Sequence, residues 1–230
     1  MISRSLRQAG SWLSETIFPP VCHFCRQRCR PDETPIGLVC RRCLGQIPLR
    51  LGADRLVALR VDDQLEPAVC ACHYKGLAKQ ALVRMKFADS PEISTVFAAL
   101  ITDALLRQGK TGADWAAVIA VPLHPGREAE RGYNQAGLLA ADIAARLQLP
   151  DWSATLGRSS STGRQSELKT MTQRMQNVEN AFYVRQPHLI QNQRLLLIDD
   201  ILSTGATMQA ARKALVAAGA ASVSLAAAAS

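Results

Sequence analysis

The chain has 230 residues, of which 48% are hydrophobic, and its formal net charge at pH 7 is +8. This composition excludes an intrinsically disordered protein and suffices for one α/β domain with a small additional module. No apolar run approaches the roughly 20 residues of a membrane-spanning helix, and no secretory signal is recognisable. We therefore expect a cytoplasmic protein without a membrane span, and its positive charge favours anionic partners.

The first predicted element is a helix at the start of the chain. Apolar residues recur every three or four positions before the helix-breaking pair Pro19-Pro20. They are Ile2, Leu6, Ala9, Leu13 and Ile17. This spacing predicts an amphipathic helix within residues 1–20, which we expect to pack on the rest of the protein rather than on a membrane.

Two Cys-x-x-Cys pairs, Cys22 with Cys25 and Cys40 with Cys43, lie within residues 21–50. Pairs of thiolates at this spacing are typical of zinc ribbons, in which four cysteines bind one Zn²⁺ tetrahedrally. Four protein ligands leave no position for a reacting water, so the predicted zinc is structural. The segment between the pairs is rich in turn residues and too short for an apolar core of its own, so metal binding would supply stability.

The other cysteines give weaker signals. The chain has seven cysteines, and an odd number without a secretory signal disfavours a disulfide framework but leaves ordinary reduced cysteines as an alternative. Cys29 and His23 have no partner at ligand spacing, so we leave both out of the predicted metal site. Cys70 and Cys72 are separated by one residue and are predicted to lie on a strand and at its end.

Two predicted helices follow, and both are expected to act as packing elements. Apolar residues at helical spacing predict the first over about residues 77–87, and the second covers residues 91–107. The apolar positions of the first are Leu77, Ala81, Leu82, Met85 and Phe87. Lys86 is predicted to lie on the surface, with a role in an active site as the weaker alternative.

A buried strand is predicted over residues 115–121, and the loop 122–124 ends it where α/β folds place ligand loops. His124 in this loop is more typical of a structural residue than of a catalytic one. A cluster of donors that match pyrophosphate geometry precedes a helix predicted over residues 136–147. The donors are Arg127, Arg131, Asn134 and Gln135. The alternative is a basic helix start without a ligand, which the helix dipole makes less favourable.

Residues 157–177 are polar and basic, with Arg158 as the first arginine and Arg174 as the last. This composition predicts a mobile loop. Such loops close over phosphates and exclude water, but they also follow nucleic-acid backbones, and charge alone does not separate the two uses.

The most informative segment is an apolar strand, residues 195–198, followed directly by Asp199 and Asp200. A hydroxyl-rich loop comes next, and then a helix predicted over residues 208–218 with Gly219 at its end. The loop residues are Ser203, Thr204, Gly205, Ala206 and Thr207. Backbone N–H groups near a helix N-terminus bind phosphate, and carboxylates accept hydrogen bonds from vicinal hydroxyls. The segment therefore predicts a site for a sugar phosphate such as ribose 5-phosphate.

This segment resembles the PRPP-binding motif of type I phosphoribosyltransferases. The Walker pattern and the Gly-x-Gly-x-x-Gly fingerprint are absent, which disfavours binding of a nucleoside triphosphate or a dinucleotide. The alternative is that Asp199 and Asp200 merely end a strand and that Ser203 or Thr204 caps a helix. Together with the cysteine pairs, further motifs identify the chain as a member of the ComF/GntX family over nearly its whole length. They are Tyr74-Lys75-Gly76, Lys86-Phe87, Val121-Pro122-Leu123, Arg131-Gly132-Tyr133-Asn134-Gln135, Asp199-Asp200 and Thr204-Gly205-Ala206-Thr207.

The resemblance implies a zinc-ribbon module followed by a phosphoribosyltransferase-like domain over residues 51–230, with a parallel sheet flanked by helices. It implies PRPP or a related ribose phosphate as the ligand, with Mg²⁺ bridging pyrophosphate and ribose oxygens. Asp199 and Asp200 would hold the ribose hydroxyls, and the loop 203–207 would hold the 5-phosphate.

The resemblance also implies which residues bind the remaining phosphate groups. Arg127 or Arg131 would hold the pyrophosphate. Arg158 and Arg174 match the polar loop of the family, whereas Ser160 stands where a second arginine is usual. In some members the family acts in DNA uptake during natural transformation.

Two functions from different classes follow from these observations. In the first, the protein is a phosphoribosyltransferase whose acceptor the sequence does not identify. The last predicted strand covers residues 222–225, so a hood over an acceptor would come from residues before 110.

In the second function, the protein is a competence factor without transferase activity. Its zinc module would bind single-stranded DNA or dock a protein of the competence machinery. Residues 22–50 contain six arginines and two acidic residues, but Phe24 is their only aromatic residue, and single-strand binders usually offer several stacking platforms.

Overall fold

The computed structural model describes residues 21–29, 39–61, 64–87, 90–159 and 181–230. The helix predicted within residues 1–20 lies outside the described residues, as do Arg174, Ser160 and most of the polar segment 157–177.

The described residues contain a five-stranded central sheet and a separate two-stranded pair. The strands are β1 (Leu56–Val61), β2 (Gln64–Cys72), β3 (Ala117–Ala120), β4 (Leu156–Arg158), β5 (Phe182–Val184), β6 (Arg194–Ile201) and β7 (Ser222–Ala229). The order in the central sheet is β1-β2-β7-β6-β3, and only β1 runs antiparallel to its neighbour. β4 and β5 form an antiparallel pair. The predicted α/β fold with a parallel sheet is confirmed, and β1 adds an antiparallel edge that was not predicted from the sequence.

Helices cover both faces of the central sheet. Those described are α1 (Arg41–Leu44), α2 (Gly76–Lys86), α3 (Ile93–Arg107), α4 (Pro125–Arg131), α5 (Gln135–Leu147), α6 (Pro187–Ile190) and α7 (Ala206–Ala217). Buried residues of α2, α3 and α5 form one hydrophobic cluster with one face of the sheet. Those of α7 and the β4–β5 pair form a second cluster with the other face. Because both faces of the sheet are covered, the central strands are apolar on both sides.

The structure corrects several predicted boundaries. The strand predicted over residues 222–225 continues to Ala229 as β7, whereas the one predicted over residues 115–121 is the shorter β3. The helix predicted from residue 208 begins at Ala206, and Gly219 follows its end in the left-handed region with φ of 101°. Phe87, the last apolar position of the first predicted helix, does not belong to α2. It lies just beyond the end of α2, where the chain leaves the helical path, and is 67% exposed.

Strand β6 positions the residues of greatest interest. Residues 195–198 are completely buried, and their side chains alternate between the two hydrophobic clusters. The predicted doubly buried strand is therefore confirmed. Ala120 of β3 pairs with Ile198 of β6 in parallel register. Because parallel strands end at the same edge of a sheet, the segments that follow these two residues, including Asp199 and Asp200, emerge side by side.

The segment that carries the cysteine pairs shares the core of the α/β unit. Phe24 is only 2% exposed, and its ring lies 5.9 Å from that of Phe97 on α3, with an angle of 33° between the planes. Val39, Cys43 and Ile47 belong to the same hydrophobic cluster as α3. This packing gives the cysteine segment a core that its own few apolar residues could not build. Among the described residues, no helix is long and apolar enough to cross a membrane.

Candidate functional site

The four predicted metal ligands converge at one point. The Sγ atoms of Cys22, Cys25, Cys40 and Cys43 all lie within 4.8 Å of one another, and those of Cys25 and Cys40 are 4.0 Å apart. A tetrahedral zinc with bonds of about 2.3 Å requires sulfur atoms about 3.8 Å apart. The donor set and its spacing therefore fit a metal ion such as zinc.

Backbone N–H groups stabilise the thiolate of Cys22, the form that binds a metal. The N–H groups of Cys25 and Cys40 donate to the Sγ of Cys22 over 3.5 and 3.4 Å. Burial by itself would raise the pKa of Cys22, but these hydrogen bonds outweigh it and lower the pKa to about 7. Burial raises the pKa of Cys43, so without a cation the four sulfurs would not all be thiolates at neutral pH.

The remaining candidates for metal binding lie elsewhere. His23 and Cys29 are not members of the cysteine group found among the described residues. Cys70 and Cys72 lie on β2 and at its end, as predicted, and both are buried. Burial and the neighbouring Cys70 raise the pKa of Cys72 to about 12, so it remains a neutral thiol at physiological pH.

A second site is a cavity of about 290 Å³ at the carboxyl ends of β3 and β6. Most of the residues predicted to bind the sugar phosphate line it. They are Asp199, Asp200, Ser203, Thr207, Arg127, Arg131, Asn134, Gln135 and Arg158. Thr204, Gly205 and Ala206 line a smaller hollow beside it, which also contacts Asp199, Ser203 and Thr207. Residues that are 80 positions apart in sequence thus surround one space because β3 and β6 are neighbours.

The cavity contains one cation that was predicted from the sequence to lie on the surface. Lys86, at the end of α2, lines the cavity, and its Nζ lies 3.0 Å from Oδ2 of Asp200. The surface assignment of Lys86 is therefore wrong. Its motif with Phe87 was a signal, but helical periodicity alone could not show that the last turn of α2 ends above Asp200. With Lys86, the lining holds four cationic and two acidic side chains, which suits a ligand with several phosphates.

The two carboxylates repel each other, and a backbone hydrogen bond offsets part of this repulsion. The backbone N–H of Asp200 donates to Oδ1 of Asp199 over 2.8 Å. Burial and then the charge of Asp200 raise the pKa of Asp199 well above its usual value, and Lys86 acts in the opposite direction. The ionisation of Asp199 therefore depends on its burial and on these two neighbouring charges.

The donors at the start of α5 have different roles. Asn134 caps α5 by accepting from the N–H of Ala136, and its Nδ2 donates to the carbonyl of Val121 over 3.0 Å. Gln135 is 2% exposed and accepts from Nη1 of Arg131 over 3.1 Å. Its Nε2 has no hydrogen-bond partner among the described residues, so it can donate to a ligand in the cavity.

Arg158 reaches the cavity from the β4–β5 pair. Its guanidinium lies 5.2 Å from the centre of the Phe182 ring, which holds it in place from the facing strand. Burial, and then the charge of Arg127, lower the pKa of Arg158, whereas Asp199 raises it. Because the two guanidinium groups repel each other, an anion that binds between them lowers their electrostatic energy.

The loop 203–207 is held by contacts as well as by its own conformation. Gly205 has φ of 79°, a left-handed conformation that suits glycine. A Cβ at this position would lie 2.4 Å from Cδ2 of Leu59, so β1 packs directly against the loop. α7 begins at Ala206, and the first turn of a helix leaves backbone N–H groups available to an anion. His124 accepts from the N–H of Gly126 at the start of α4, consistent with a structural role.

Comparison with known proteins places the chain in a family. Residues 134–230 match the phosphoribosyl transferase domain family. The chain is 30% identical over 215 residues to the DNA utilization protein YhgH of Salmonella typhi, covering 88% of this chain and 87% of that protein. The chain belongs to the YhgH family. The competence protein F of Haemophilus influenzae is 35% identical over 100 residues, or 43% of each chain. The ComF-like resemblance predicted from the sequence is thereby confirmed.

The fold was also compared with solved structures. The allosteric regulatory enzyme of purine biosynthesis superposes with a TM-score of 0.42 and 17% identity, and the match covers 64% of this chain. This chain spans 30% of that enzyme.

The cysteine cluster predicts one zinc ion per chain. Cys40→Ser removes a ligand, so we expect the bound zinc to fall from about one equivalent to near zero, with lower thermal stability. Cys29→Ser is the matched control because Cys29 is in the same segment but outside the cluster, and it should keep its zinc. Metal analysis of the purified variants measures both. Equal zinc loss in the two variants would contradict the assignment.

The raised pKa of Asp199 predicts a gain in stability when its charge is removed. The folded protein holds a proton on Asp199 more tightly than the unfolded chain does, so stability falls as pH rises through the interval between the two pKa values. Asp199→Asn should abolish this fall and raise the free energy of unfolding at pH 7. Asp103→Asn, on the exposed face of α3, is the control. Denaturant unfolding between pH 4 and 8 tests the prediction, and an unchanged pH dependence would contradict it.

Proposed function

We propose that the cavity binds PRPP or a closely related ribose phosphate, in a ComF-like protein that acts in DNA uptake or use. The observation that carries this proposal is the grouping of two adjacent carboxylates, a hydroxyl-rich loop and several cations around one cavity of about 290 Å³. Carboxylates alone would repel phosphate, and cations alone would not select ribose hydroxyls. A ligand that combines vicinal hydroxyls with separate phosphates satisfies both groups.

The residues divide into three binding roles. Asp199 and Asp200 accept hydrogen bonds from the ribose hydroxyls, which are strong because the acceptors are charged. The loop 203–207 holds the 5-phosphate with backbone N–H groups and the hydroxyls of its serine and threonines. The arginines that line the cavity, Arg127, Arg131 and Arg158, hold the pyrophosphate with forked donors. We further propose that Arg174 adds to this last group.

Metal ions have separate roles in the proposal. Mg²⁺ bound with PRPP would offset phosphate charge, and its preference for oxygen ligands fits the carboxylate and phosphate oxygens of this site. Zn²⁺ in the four-cysteine cluster would be structural. We propose residues 21–50 as the zinc module and residues 51–230 as the phosphoribosyltransferase-like domain.

A transfer reaction at this site would break the bond between ribose C1 and pyrophosphate and form a bond from C1 to an acceptor. The protein would contribute alignment of the two groups and electrostatic stabilisation of the charge that develops on ribose and pyrophosphate. Binding of PRPP is the function that the described residues support, and we assign no acceptor.

Calorimetric titration with PRPP and Mg²⁺ tests the binding site. The native protein should bind, and the double variant Asp199→Asn/Asp200→Asn should bind at least about tenfold more weakly because it loses two charged acceptors. The control is Asp103→Asn/Asp114→Asn, which removes the same number of charges outside the cavity. Absence of binding by the native protein, or equal weakening by both double variants, would overturn the proposal.

A second candidate function, binding of single-stranded DNA, is favoured by one surface of the four-cysteine segment. A hollow of about 340 Å³ is lined by three arginines, Arg28, Arg41 and Arg42, and by Gln27, Cys29 and Cys40. Among the described residues, no acidic side chain lines this hollow. Such a basic surface suits a phosphate backbone, and the relatives include proteins named for DNA utilization and for competence.

Salt dependence tests this second function. Arg28→Gln/Arg41→Gln should weaken binding of a single-stranded oligonucleotide and reduce the slope of log affinity against log salt by about 1.4, because each phosphate that an arginine no longer neutralises accounts for about 0.7. The control Arg107→Gln/Arg146→Gln removes two arginines from the exposed surfaces of α3 and α5. Fluorescence anisotropy between roughly 50 and 300 mM salt measures both slopes. No binding by the native protein, or equal slopes in all variants, would exclude DNA binding by this surface.

A further inference from the structure

The last turn of α2 contacts both the cysteine segment and the cavity. On one side, Nη2 of Arg84 donates to the carbonyl oxygen of Phe24 over 2.7 Å. Phe24 lies between Cys22 and Cys25 in the first cysteine pair, and its ring is buried against Phe97. Arg84 is therefore attached to a backbone group whose position depends on the geometry of the metal site.

On the other side, the same turn reaches the carboxylate pair. Lys86 lies two residues after Arg84, and its Nζ is 3.0 Å from Oδ2 of Asp200. Each residue of an α-helix is rotated by about 100° about the helix axis, so residues two positions apart point to nearly opposite sides. Arg84 and Lys86 can therefore face opposite sides of α2, one toward the cysteine segment and the other toward the cavity.

A third contact holds the residue between them. Met85 is fully buried, and its carbonyl oxygen accepts a hydrogen bond from the hydroxyl of Tyr133, in the loop that precedes α5. Three consecutive residues at the end of α2 are thus attached to three different parts of the molecule. A helix end offers few constraints of its own because its last carbonyl groups lack intrahelical partners. The position of Lys86 consequently depends on these external contacts.

The charge of Lys86 matters for any anionic ligand of the cavity. Asp199 and Asp200 are adjacent, and together they repel phosphate groups. Lys86 is the cation paired with Asp200, and both side chains are largely shielded from water, at 25% and 14% exposure. When Lys86 is held at Asp200, its positive charge reduces the repulsion between the two carboxylates and a polyphosphate. The other carboxylate oxygens of Asp199 and Asp200 can still accept hydrogen bonds from hydroxyl groups.

We propose that the four-cysteine segment controls ligand affinity in the cavity through α2. Arg84 is a positioning residue that acts through Lys86, and the cysteine segment supplies the carbonyl group that holds Arg84. Zinc, which fits the cluster, would keep this carbonyl in place. The proposal rests on the proposed binding of PRPP, and it adds that the two sites are energetically coupled.

A double-mutant cycle on PRPP affinity tests the coupling. Lys86→Met should weaken binding about tenfold and Arg84→Met about fivefold, within the usual range of coupling between sites. The variant carrying both changes should bind as Lys86→Met does, because Arg84 acts only through Lys86. Arg84→Lys keeps a cation that can donate to the carbonyl of Phe24, and it should restore most of the affinity. Arg107→Met, on the exposed face of α3, should have no effect.

Two outcomes of the cycle would overturn the proposal. Native affinity in Arg84→Met would show that the contact with Phe24 is irrelevant to the cavity. If Arg84→Met weakened PRPP binding by the same factor in the native protein and in Lys86→Met, Arg84 would act through general stability alone.

Hydrogen exchange in the ligand-free protein tests the coupling without PRPP. Arg84→Met, with its zinc content confirmed, should speed amide exchange in residues 85–87 and 199–201 relative to the native protein and to Arg107→Met. Unchanged exchange in both segments would exclude the coupling. If exchange changes as expected but the native protein does not bind PRPP, the proposed function fails while the link between the two sites stands.

Discussion

The arrangement of this molecule depends on two adjacent carboxylates at the end of a strand that is buried on both faces. β6 is an interior strand of the sheet, between β7 and β3, and its residues 195–198 are completely buried. The chain therefore emerges at a single place with Asp199 and Asp200 in succession. Like charges so close together, partly removed from water, are unfavourable unless other groups compensate them. The N–H of Asp200 and the ammonium group of Lys86 provide that compensation.

This constraint explains the composition of the surrounding cavity. Cations from three separate elements, α2, α4 and β4, line the cavity together with the two carboxylates. Arg158 is held against Phe182, and Arg131 is hydrogen-bonded to the buried Gln135. Protein contacts thus hold Arg131 and Arg158 in place, which would reduce the entropy lost when the proposed ligand binds. In the proposed function, binding of the ligand would offset this unfavourable charge arrangement of the free protein.

The four-cysteine segment is integrated with the α/β unit rather than appended to it. Its Phe24 packs on α3, and its backbone accepts a hydrogen bond from α2. A segment this small cannot bury enough apolar surface on its own, so its stability depends on the shared core, to which a metal bound by the four cysteines would add. A consequence of this sharing is that a change at the cysteines can reach α2, and through α2 the carboxylates.

Local patterns in the sequence were sufficient to predict the cysteine pairs, the buried strand before Asp199, the loop 203–207 and most helices. In each of these the determining residues are close together in the chain, so spacing and periodicity carry the information. The antiparallel edge strand β1 and the exposure of Phe87 were not predictable in this way. An edge strand and a helix end depend on what lies beside them, and local propensity does not encode those neighbours.

By itself, the sequence determined which chemical groups this protein carries and in what order: four thiols at zinc spacing, two carboxylates after a strand, and a basic segment before a helix. Only the tertiary structure decided which of these groups meet. Lys86 reaches Asp200 because α2 ends over β6, and Arg84 reaches Phe24 because the cysteine segment packs on α2 and α3. Contacts between residues so far apart along the chain depend on how helices and sheet pack together, which no local pattern specifies.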